Sequence, residues 1–199
     1  MTAIFYMARH GMTIDDTPEN CRVTGWLDVP INREGRMNAH RAARRLKTCD
    51  ITSIIASDSL RTHMSASIIG EDLGIPVAES ERLRSWNMGA LQGMDAEAAK
   101  PFMTHFQKNP SERVPKGEPF RQFYNRFKTA WDATVSHVRK FPSAHPLLVT
   151  HSQCMDIAYW FMRGQEPGRT LEFGEGIPPG GILEVRVDGD KISIRKLKV

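Results

Sequence analysis

Three short apolar runs constrain the fold of this chain of 199 residues more than any other feature. They are residues 3 to 8 (AIFYMA), 53 to 57 (SIIAS) and 146 to 150 (PLLVT). Each run is largely apolar and lacks a polar residue at every second position, which is typical of a strand covered on both faces in a parallel sheet. Helical patterns lie between and after these runs, so the chain is predicted to alternate strand and helix.

The helical segments are marked by apolar residues at a spacing of three or four positions. These residues are Ala39, Ala42, Ala43 and Leu46 in the first segment, Leu60, Met64 and Ile68 in the second, and Phe120, Phe123, Phe127, Ala130, Trp131, Thr134 and Val138 in the third. Another helix is expected after His151, and residues 182 to 187 and 191 to 197 predict a terminal hairpin. We therefore expect an α/β fold of three layers, α/β/α, whose mostly parallel central sheet has an antiparallel edge strand.

The length of the chain fits a single domain spanning residues 1 to 199. Residues 84 to 118 contain little strand pattern and three prolines, so they predict a small inserted cap made of loop and helix. No internal repeat or low-complexity tract divides the chain.

The composition, with 40% hydrophobic and 25% charged residues, is ordinary for a water-soluble protein. The N-terminal apolar run ends at Arg9, too early for a signal peptide, and no run is long enough to cross a bilayer. We expect a cytoplasmic protein without a membrane partner. The three cysteines are far apart and in no metal-binding spacing, so neither a disulfide framework nor a zinc site is expected.

The net charge of +4 has its excess in residues 33 to 47, where five arginines and one lysine accompany only Glu34. Such a cluster steers anionic substrates or nucleic acid in some proteins. We favour a solvated helix face, because the basic residues are dispersed and no nucleic-acid-binding motif accompanies them. Dedicated nucleic-acid binding is therefore not expected, and the oligomeric state, including a homo-oligomer, stays open.

Polar residues that can bind phosphate follow each predicted buried strand. The three groups are Arg9-His10-Gly11, Ser57-Asp58 with Arg61 one turn later, and Thr150-His151-Ser152. Ligands of open α/β sheets bind beyond the carboxyl ends of the strands, so two histidines and two arginines should converge there. Arginine forks match phosphate oxygens, and a neutral imidazole is a nucleophile, so the set suits a phosphate monoester.

Four segments resemble the histidine phosphatase (phosphoglycerate mutase-like) superfamily. ARHGMT at residues 8 to 13 is similar to its arginine-histidine-glycine signature, and VTGWLDVPINREGRMNA at 23 to 39 to the segment that follows it. ASDSLRTHMSASII at 56 to 69 resembles the second arginine segment, and LVTHS at 148 to 152 the second histidine segment. Four matches in the same order are far more specific than any one tripeptide.

The resemblance implies a phosphatase, that is, a phosphoric monoester hydrolase, acting on a small phosphorylated substrate without a metal or cofactor. It implies that His10 is the nucleophile that forms a phosphohistidine, and that Arg9, Arg61 and His151 hold the transferred phosphoryl group. Fixed cations suit a transition state whose charge is spread over phosphoryl oxygens. Gly11 would let the backbone pass close to the phosphate. Asp58 is expected to orient a neighbour or cap a helix, since its charge would repel phosphate.

One position departs from the family pattern. In the mutases and many phosphatases of this superfamily, a glutamate that protonates the leaving group lies four residues before the glycine of a YGALQG-like segment. Here the segment is LRSWNMGALQG at residues 83 to 93, which puts Ser85 at that position and replaces its mutase neighbours by Trp86 and Met88. This departure argues against a phosphoglycerate mutase and leaves the proton donor unassigned.

Three carboxylates are candidates for the missing acid: Glu118, which we favour, Asp95 and Glu81. Glu118 lies in GEPF, which resembles a family GES motif, but a carboxylate before a helix is equally explained by the helix dipole. Substrate-binding candidates beyond the catalytic set are Asn20, Ser85, Trp86 and Ser152. Asn20 lies in a loop that, relative to the usual family spacing, has an insertion between His10 and residues 25 and 26.

Two other interpretations compete with a metal-independent phosphatase. His10, His151 and Asp58 resemble a zinc or iron ligand set, although arginines beside them would weaken metal binding. Alternatively, with Ser85 in place of the acid, the chain is a phosphate-binding member of the superfamily that turns over slowly or not at all.

Overall fold

The computed structural model describes residues 2–168 and 176–198, which form six strands and five α-helices. In chain order these elements are β1 Ala3–Arg9, α1 Arg33–Leu46, β2 Ser53–Ala56, α2 Leu60–Leu73, β3 Val77–Glu79, α3 Ala96–Lys108, α4 Phe120–Lys140, β4 Pro146–Thr150, α5 Ser152–Met162, β5 Ile182–Asp188 and β6 Lys191–Leu197. The predicted alternation of strand and helix is confirmed.

The six strands form one sheet in the order β3-β2-β4-β1-β5-β6. β3, β2, β4 and β1 run parallel, β5 is antiparallel to β1, and β6 is antiparallel to β5. After β1 the chain leads through α1 to β2, whereas after β4 it leads through α5 to β5 on the other side. The connections of two neighbouring strands therefore diverge, which opens a crevice at the carboxyl ends of β1 and β4.

Two apolar cores cover the two faces of the sheet. On β1, Tyr6 and Ala8 point into the core that contains α1 and α2, while Phe5 and Met7 point into the core that contains α4 and α5. This alternation of buried residues explains why residues 3 to 8 are apolar throughout. The expected three-layer arrangement is confirmed.

The buried face of α2 differs from the prediction. Leu60 is 37% exposed, and Met64 and Ile68 are only partly buried. The helix instead buries a more polar face, made of Arg61, Thr62, Ser65, Ala66, Ile69 and Gly70. Several of these side chains hold the neighbouring loops, so α2 serves the crevice as well as the core.

The remaining elements agree with the sequence apart from one strand. The long helix appears as α4, and the hairpin appears as β5 and β6. The short strand β3 was not predicted, because a three-residue edge strand carries too little periodicity to detect. Residues 84 to 118, all of them described, contain α3 and a 3-10 turn but no strand. No helix in the described ranges is long and apolar enough to cross a bilayer.

Candidate active site

His10 lies directly after β1, in the crevice where the two connections diverge. Its backbone N–H donates to the carbonyl of Thr150 at 3.0 Å, which places it beside the end of β4. Its ring Nδ1 lies 2.8 Å from the carbonyl oxygen of Gly11. A carbonyl oxygen only accepts, so Nδ1 carries the ring proton and Nε2 keeps its lone pair. No hydrogen bond between described residues engages Nε2.

The surroundings keep the His10 ring neutral. Burial lowers its pKa to about 3, and the positive charges of Arg61 and Arg9 act in the same direction. The opposing charge of Asp16 is weaker than these effects. Near neutral pH the ring is therefore an uncharged imidazole with a free Nε2.

His151 and Arg61 lie against His10. The two histidine rings meet edge to face, with centroids 5.3 Å apart. A guanidinium N–H of Arg61 donates to Nδ1 of His151 at 3.1 Å, so the proton of that ring is on Nε2, which lies 3.2 Å from the hydroxyl of Ser57. Burial and the charge of Arg61 lower the pKa of His151 well below its usual value.

Arg61 is only 2% exposed, although it carries a charge. Its guanidinium donates to the carbonyls of Leu27 at 3.0 Å and Gly25 at 2.7 Å, and to the hydroxyl of Ser85 at 3.4 Å. Burial lowers its pKa to about 10, which still leaves it charged at neutral pH. Arg61 is thus aimed by fixed acceptors, as a transition-state cation requires.

A polar cavity of about 170 Å³ adjoins this group. Its lining is Gly25, Trp26, Asp28, Asp58, Ser59, Arg84 and Ser85. Ser59 lies 3.4 Å from Nε2 of His151, and Ser85 accepts from Arg61, so the cavity opens beside both phosphoryl-binding candidates. Its wall includes the position at which the superfamily resemblance implies the leaving-group acid.

The structure corrects the prediction that Trp86 binds substrate. Its side chain is fully buried, packs edge to face on Phe120 and donates its indole N–H to the carbonyl of Glu118 at 3.0 Å. The tryptophan at the cavity is Trp26, which is 37% exposed and stacks under the guanidinium of Arg84. Neither loop has apolar residues at a regular spacing, so the sequence could not show which tryptophan is buried and which is exposed at the cavity.

Glu118 lies in a buried ion pair rather than among the groups that surround His10. Its Oε1 accepts from Arg126 at 2.7 Å and from the backbone N–H of Asn87 at 3.0 Å. Arg126 also donates to four carbonyls of one segment, those of Glu81, Arg82, Arg84 and Ser85. These contacts indicate that the pair of Glu118 and Arg126 holds the Ser85 segment in place.

Replacing Glu118 by glutamine should therefore destabilise the fold rather than change the chemistry. It would leave Arg126, whose side chain is 17% exposed, as a charge without its ionic partner, at a cost of about 1 to 3 kcal/mol. Urea unfolding measures this loss, with Glu112→Gln as the control, because Glu112 forms an exposed ion pair with His105. Unchanged stability with a selective loss of alkyl-phosphate hydrolysis would instead make Glu118 the leaving-group acid.

The side chain of Asn20 makes its hydrogen bonds within its own loop. Its amide oxygen accepts from Nε of Arg22 at 2.6 Å, and its NH₂ group donates to the carbonyl of Ile14. Asp16 is the member of this loop that reaches the site, where it forms an ion pair with Arg9. The insertion in the loop hid this aspartate from the sequence comparison.

Three further predicted residues have identifiable surroundings. A Cβ atom at Gly11 would lie 2.2 Å from the carbonyl oxygen of Gly35, so close packing on α1 already requires a glycine there. Asp58 orients a neighbour as expected, since it accepts from Nε of Arg84 at 2.8 Å. Ser152 begins α5, directly after His151.

The described residues contain no group of three or more histidine, cysteine, aspartate or glutamate side chains that could hold a metal ion. Comparison with known proteins then decides the family. The model of the histidine phosphatase superfamily (branch 1) matches residues 5–199. The chain belongs to this superfamily.

Relatives of this histidine phosphatase include both mutases and phosphatases by name. The probable phosphoglycerate mutase GpmB of Yersinia enterocolitica is 31% identical over 168 residues, which cover 81% of this chain and 75% of the relative. Bacillus stearothermophilus YhfR is 25% identical, with a TM-score of 0.79 and 97% and 95% of the two chains covered. A mycobacterial glucosyl-3-phosphoglycerate phosphatase in complex with VO3 has a TM-score of 0.80 at 21% identity, covering 99% and 98%.

These findings confirm the predicted superfamily, the α/β/α fold and the phosphatase class. The roles of individual residues, the substrate and the mechanism follow from the geometry as proposals.

Proposed function

We propose that this chain is a metal-independent phosphomonoesterase that acts on a small phosphorylated substrate through a phosphohistidine at His10. The observation that carries the proposal is the state of the His10 ring. The ring is neutral, and its Nδ1–H donates to the carbonyl of Gly11. Its Nε2 is therefore free, beside Arg61 and His151.

The first step transfers the phosphoryl group to the enzyme. Nε2 of His10 attacks phosphorus, the N–P bond forms, and the P–O bond to the leaving group breaks with its electron pair on oxygen. The Nδ1 proton stays on the ring and donates to the Gly11 carbonyl, which favours the positive charge that develops on imidazole. Arg61 and His151 stabilise the equatorial phosphoryl oxygens during the transfer.

The second step returns the enzyme to its starting state. Water attacks phosphorus, the N–P bond breaks, and its electron pair returns to Nε2 of His10. The protons of the water leave with inorganic phosphate. No redox change, metal or cofactor takes part in either step.

Phosphohistidine formation is tested directly by intact-mass measurement of the enzyme quenched in alkali, in which this modification is stable. We expect a phosphorylated species during turnover of an aryl phosphate, inhibition by vanadate, and activity that survives chelation. Loss of activity on chelation, restored by added metal, would favour the metal-dependent alternative instead.

Hydrolysis rather than mutase activity is the favoured reaction because Ser85 replaces the usual acid. The Ser85 hydroxyl donates to the Gly25 carbonyl at 2.8 Å, so its proton is already used. A serine is also too weak an acid to protonate an alkoxide at neutral pH. We therefore favour a hydrolase for this chain, although its Yersinia relative is named a probable phosphoglycerate mutase.

The same residue predicts a strong dependence on the leaving group. Aryl phosphates depart as stabilised phenolates, so their first step should be far faster than that of alkyl phosphates. A plot of log kcat/KM against leaving-group pKa should have a steep negative slope, and Ser85→Ala should keep that slope. A flat plot, with chemistry shown to be rate-limiting, would mean that an acid is already in place.

The second candidate, a phosphate-binding protein with little turnover, is favoured by the same Ser85. The two functions differ in a single-turnover experiment with excess enzyme. A phosphatase converts bound aryl phosphate to phenol and phosphate, whereas a binding protein returns the ester unchanged.

A further inference from the structure

Both terminal nitrogens of Arg9 are already engaged by protein acceptors in the unliganded site. One of its terminal nitrogens donates to the carbonyl of Ile177 at 2.9 Å, and the other is paired with the carboxylate of Asp16. Its Nε is buried and has no hydrogen-bond partner among the described residues. A phosphoryl group that used Arg9 would therefore share it with an aspartate already in place.

Asp16 is held firmly in this position. Its Oδ2 accepts from the backbone N–H of Thr13 at 2.9 Å and from the Thr13 hydroxyl at 2.7 Å, while Oδ1 faces Arg9. The carboxylate is 15% exposed. The loop thus places the negative charge of Asp16 beside the site at which the negatively charged phosphoryl group has to bind.

The charge of Asp16 reaches the rest of the phosphoryl pocket. Burial is the main influence on the pKa of Arg61, and Asp16 is the strongest of the charges that act on it. Burial also opposes ionisation of Asp16, but the charge of Arg9 and the hydrogen bonds from Thr13 hold its pKa below the usual value. In the free protein Asp16 is therefore an anion.

A count of these charges exposes an imbalance. Arg9 and Arg61 contribute two positive charges and Asp16 one negative charge, while His10 and His151 are neutral. These three side chains together carry one net positive charge, and the adjoining cavity adds Asp28, Asp58 and Arg84, which bring the sum to zero. A phosphomonoester near neutral pH carries two negative charges, so the cations around it do not balance it. Burying an uncompensated charge is expensive, and protonation of a nearby group relieves that cost.

We propose that Asp16 takes up a proton when the site binds a phosphoryl dianion, so that Arg9 and Arg61 face the substrate without a competing carboxylate. The proposal rests on the proposed function, because it concerns the same pocket. It deepens that function by setting the charge state in which the pocket accepts its substrate.

The neighbouring groups are less suited to hold this proton. The charged and titratable side chains around Asp16 and its neighbour Arg61 are Arg9 and His10 at the end of β1, His151 beside Arg61, Asp15 in the same turn, and Asp28 at the adjoining cavity. Nε2 of His10 must stay unprotonated to attack, and Nδ1 of His151 accepts from Arg61. Asp15 accepts from the hydroxyl of Thr24 and has no ion pair with Arg9.

The proton on Asp16 would neutralise charge rather than reach the leaving group. In an in-line transfer the leaving oxygen departs on the side of phosphorus opposite the nucleophile. Asp16 lies on the side of His10 and Arg9, so the strong dependence on leaving group is expected to persist.

The test is calorimetry with tungstate, which stays a dianion at neutral and mildly alkaline pH and so cannot itself carry the proton. Binding heats in two buffers of different ionisation enthalpy give the number of protons taken up, and we expect about one for the wild type. The Kd should rise by about tenfold per pH unit over this range.

Asp16→Asn should bind tungstate with almost no proton uptake and with a Kd that hardly changes with pH. Asp15→Asn is the matched control, because it removes the same charge one residue away and should keep the proton uptake. The pH dependence of the wild type needs no variant, so it tests the proposal even if Asp16→Asn folds poorly.

Two results would overturn the proposal: tungstate binding by the wild type without proton uptake, or proton uptake retained in Asp16→Asn. Either would leave the phosphatase function intact. Failure of the wild type to bind tungstate at all would remove the anion pocket and the Asp16 proposal with it. Normal proton-linked binding without phosphohistidine would contradict only the proposed function.

Discussion

Replacing His10 by alanine should lower kcat for an aryl phosphate by roughly 10⁴-fold or more, the scale of loss that follows removal of a nucleophile. No other described side chain presents a free, neutral nitrogen beside both Arg61 and His151. Water attacking directly would lack the covalent intermediate that divides the reaction into two easier steps. Steady-state kinetics, together with the absence of a phosphorylated species by mass, measures the effect.

The control for this variant is His63→Ala. His63 is an exposed histidine on α2 that contacts Glu79, and its loss should leave kcat unchanged. The His10 variant should still bind tungstate, since the arginines of the pocket remain. Activity close to wild type in His10→Ala would remove the assignment of the nucleophile.

The second large effect is expected at Arg61. Its replacement by alanine should lower kcat by about 10³-fold, because a fixed cation is lost from the phosphoryl oxygens. The burial of Arg61 adds an effect on stability that the sequence did not suggest. The carbonyl of Leu27 would lose its donor, and that of Gly25 would keep only the Ser85 hydroxyl, at a cost of about 2 kcal/mol in the free energy of unfolding.

Arg61→Lys separates the two effects. Lysine keeps the positive charge but lacks the planar fork of arginine. It should therefore restore part of the turnover but not the paired hydrogen bonds of the guanidinium. Kinetics are measured at a temperature at which each variant is folded, as judged by circular dichroism. If the loss of activity in Arg61→Ala only follows the unfolded fraction, Arg61 is structural and not part of the phosphoryl pocket.

The central strands were predictable because burial on both faces leaves a continuous apolar run in the sequence. Residues 3 to 8 and 146 to 150 are covered on both faces, so nearly every residue in them is apolar. From those two strands, the rule that ligands lie at the carboxyl ends of a parallel sheet placed His10 and His151 together. Their rings do lie in contact.

The loops were not predictable in the same way. Asp16, Trp26 and Trp86 lie in segments without period, and which of them faces the crevice depends on tertiary contacts. The pair of Glu118 and Arg126 joins a residue before α4 to one within it, and the sequence does not show that Arg126 turns back toward residues 81 to 85. The buried face of α2 was misread because the site uses polar residues where a core would use apolar ones.

The position of β1 has a consequence for the chain as it is made. Of the six described strands β1 is synthesised first, yet its two neighbours are β4 and β5, which begin at Pro146 and Ile182. At about 5 to 20 residues per second, the strand that ends at the nucleophile waits on the order of ten to thirty seconds for β4 alone. During that time the largely apolar β1 lacks both of its sheet neighbours, so it has to stay accessible for pairing until β4 and β5 have been made.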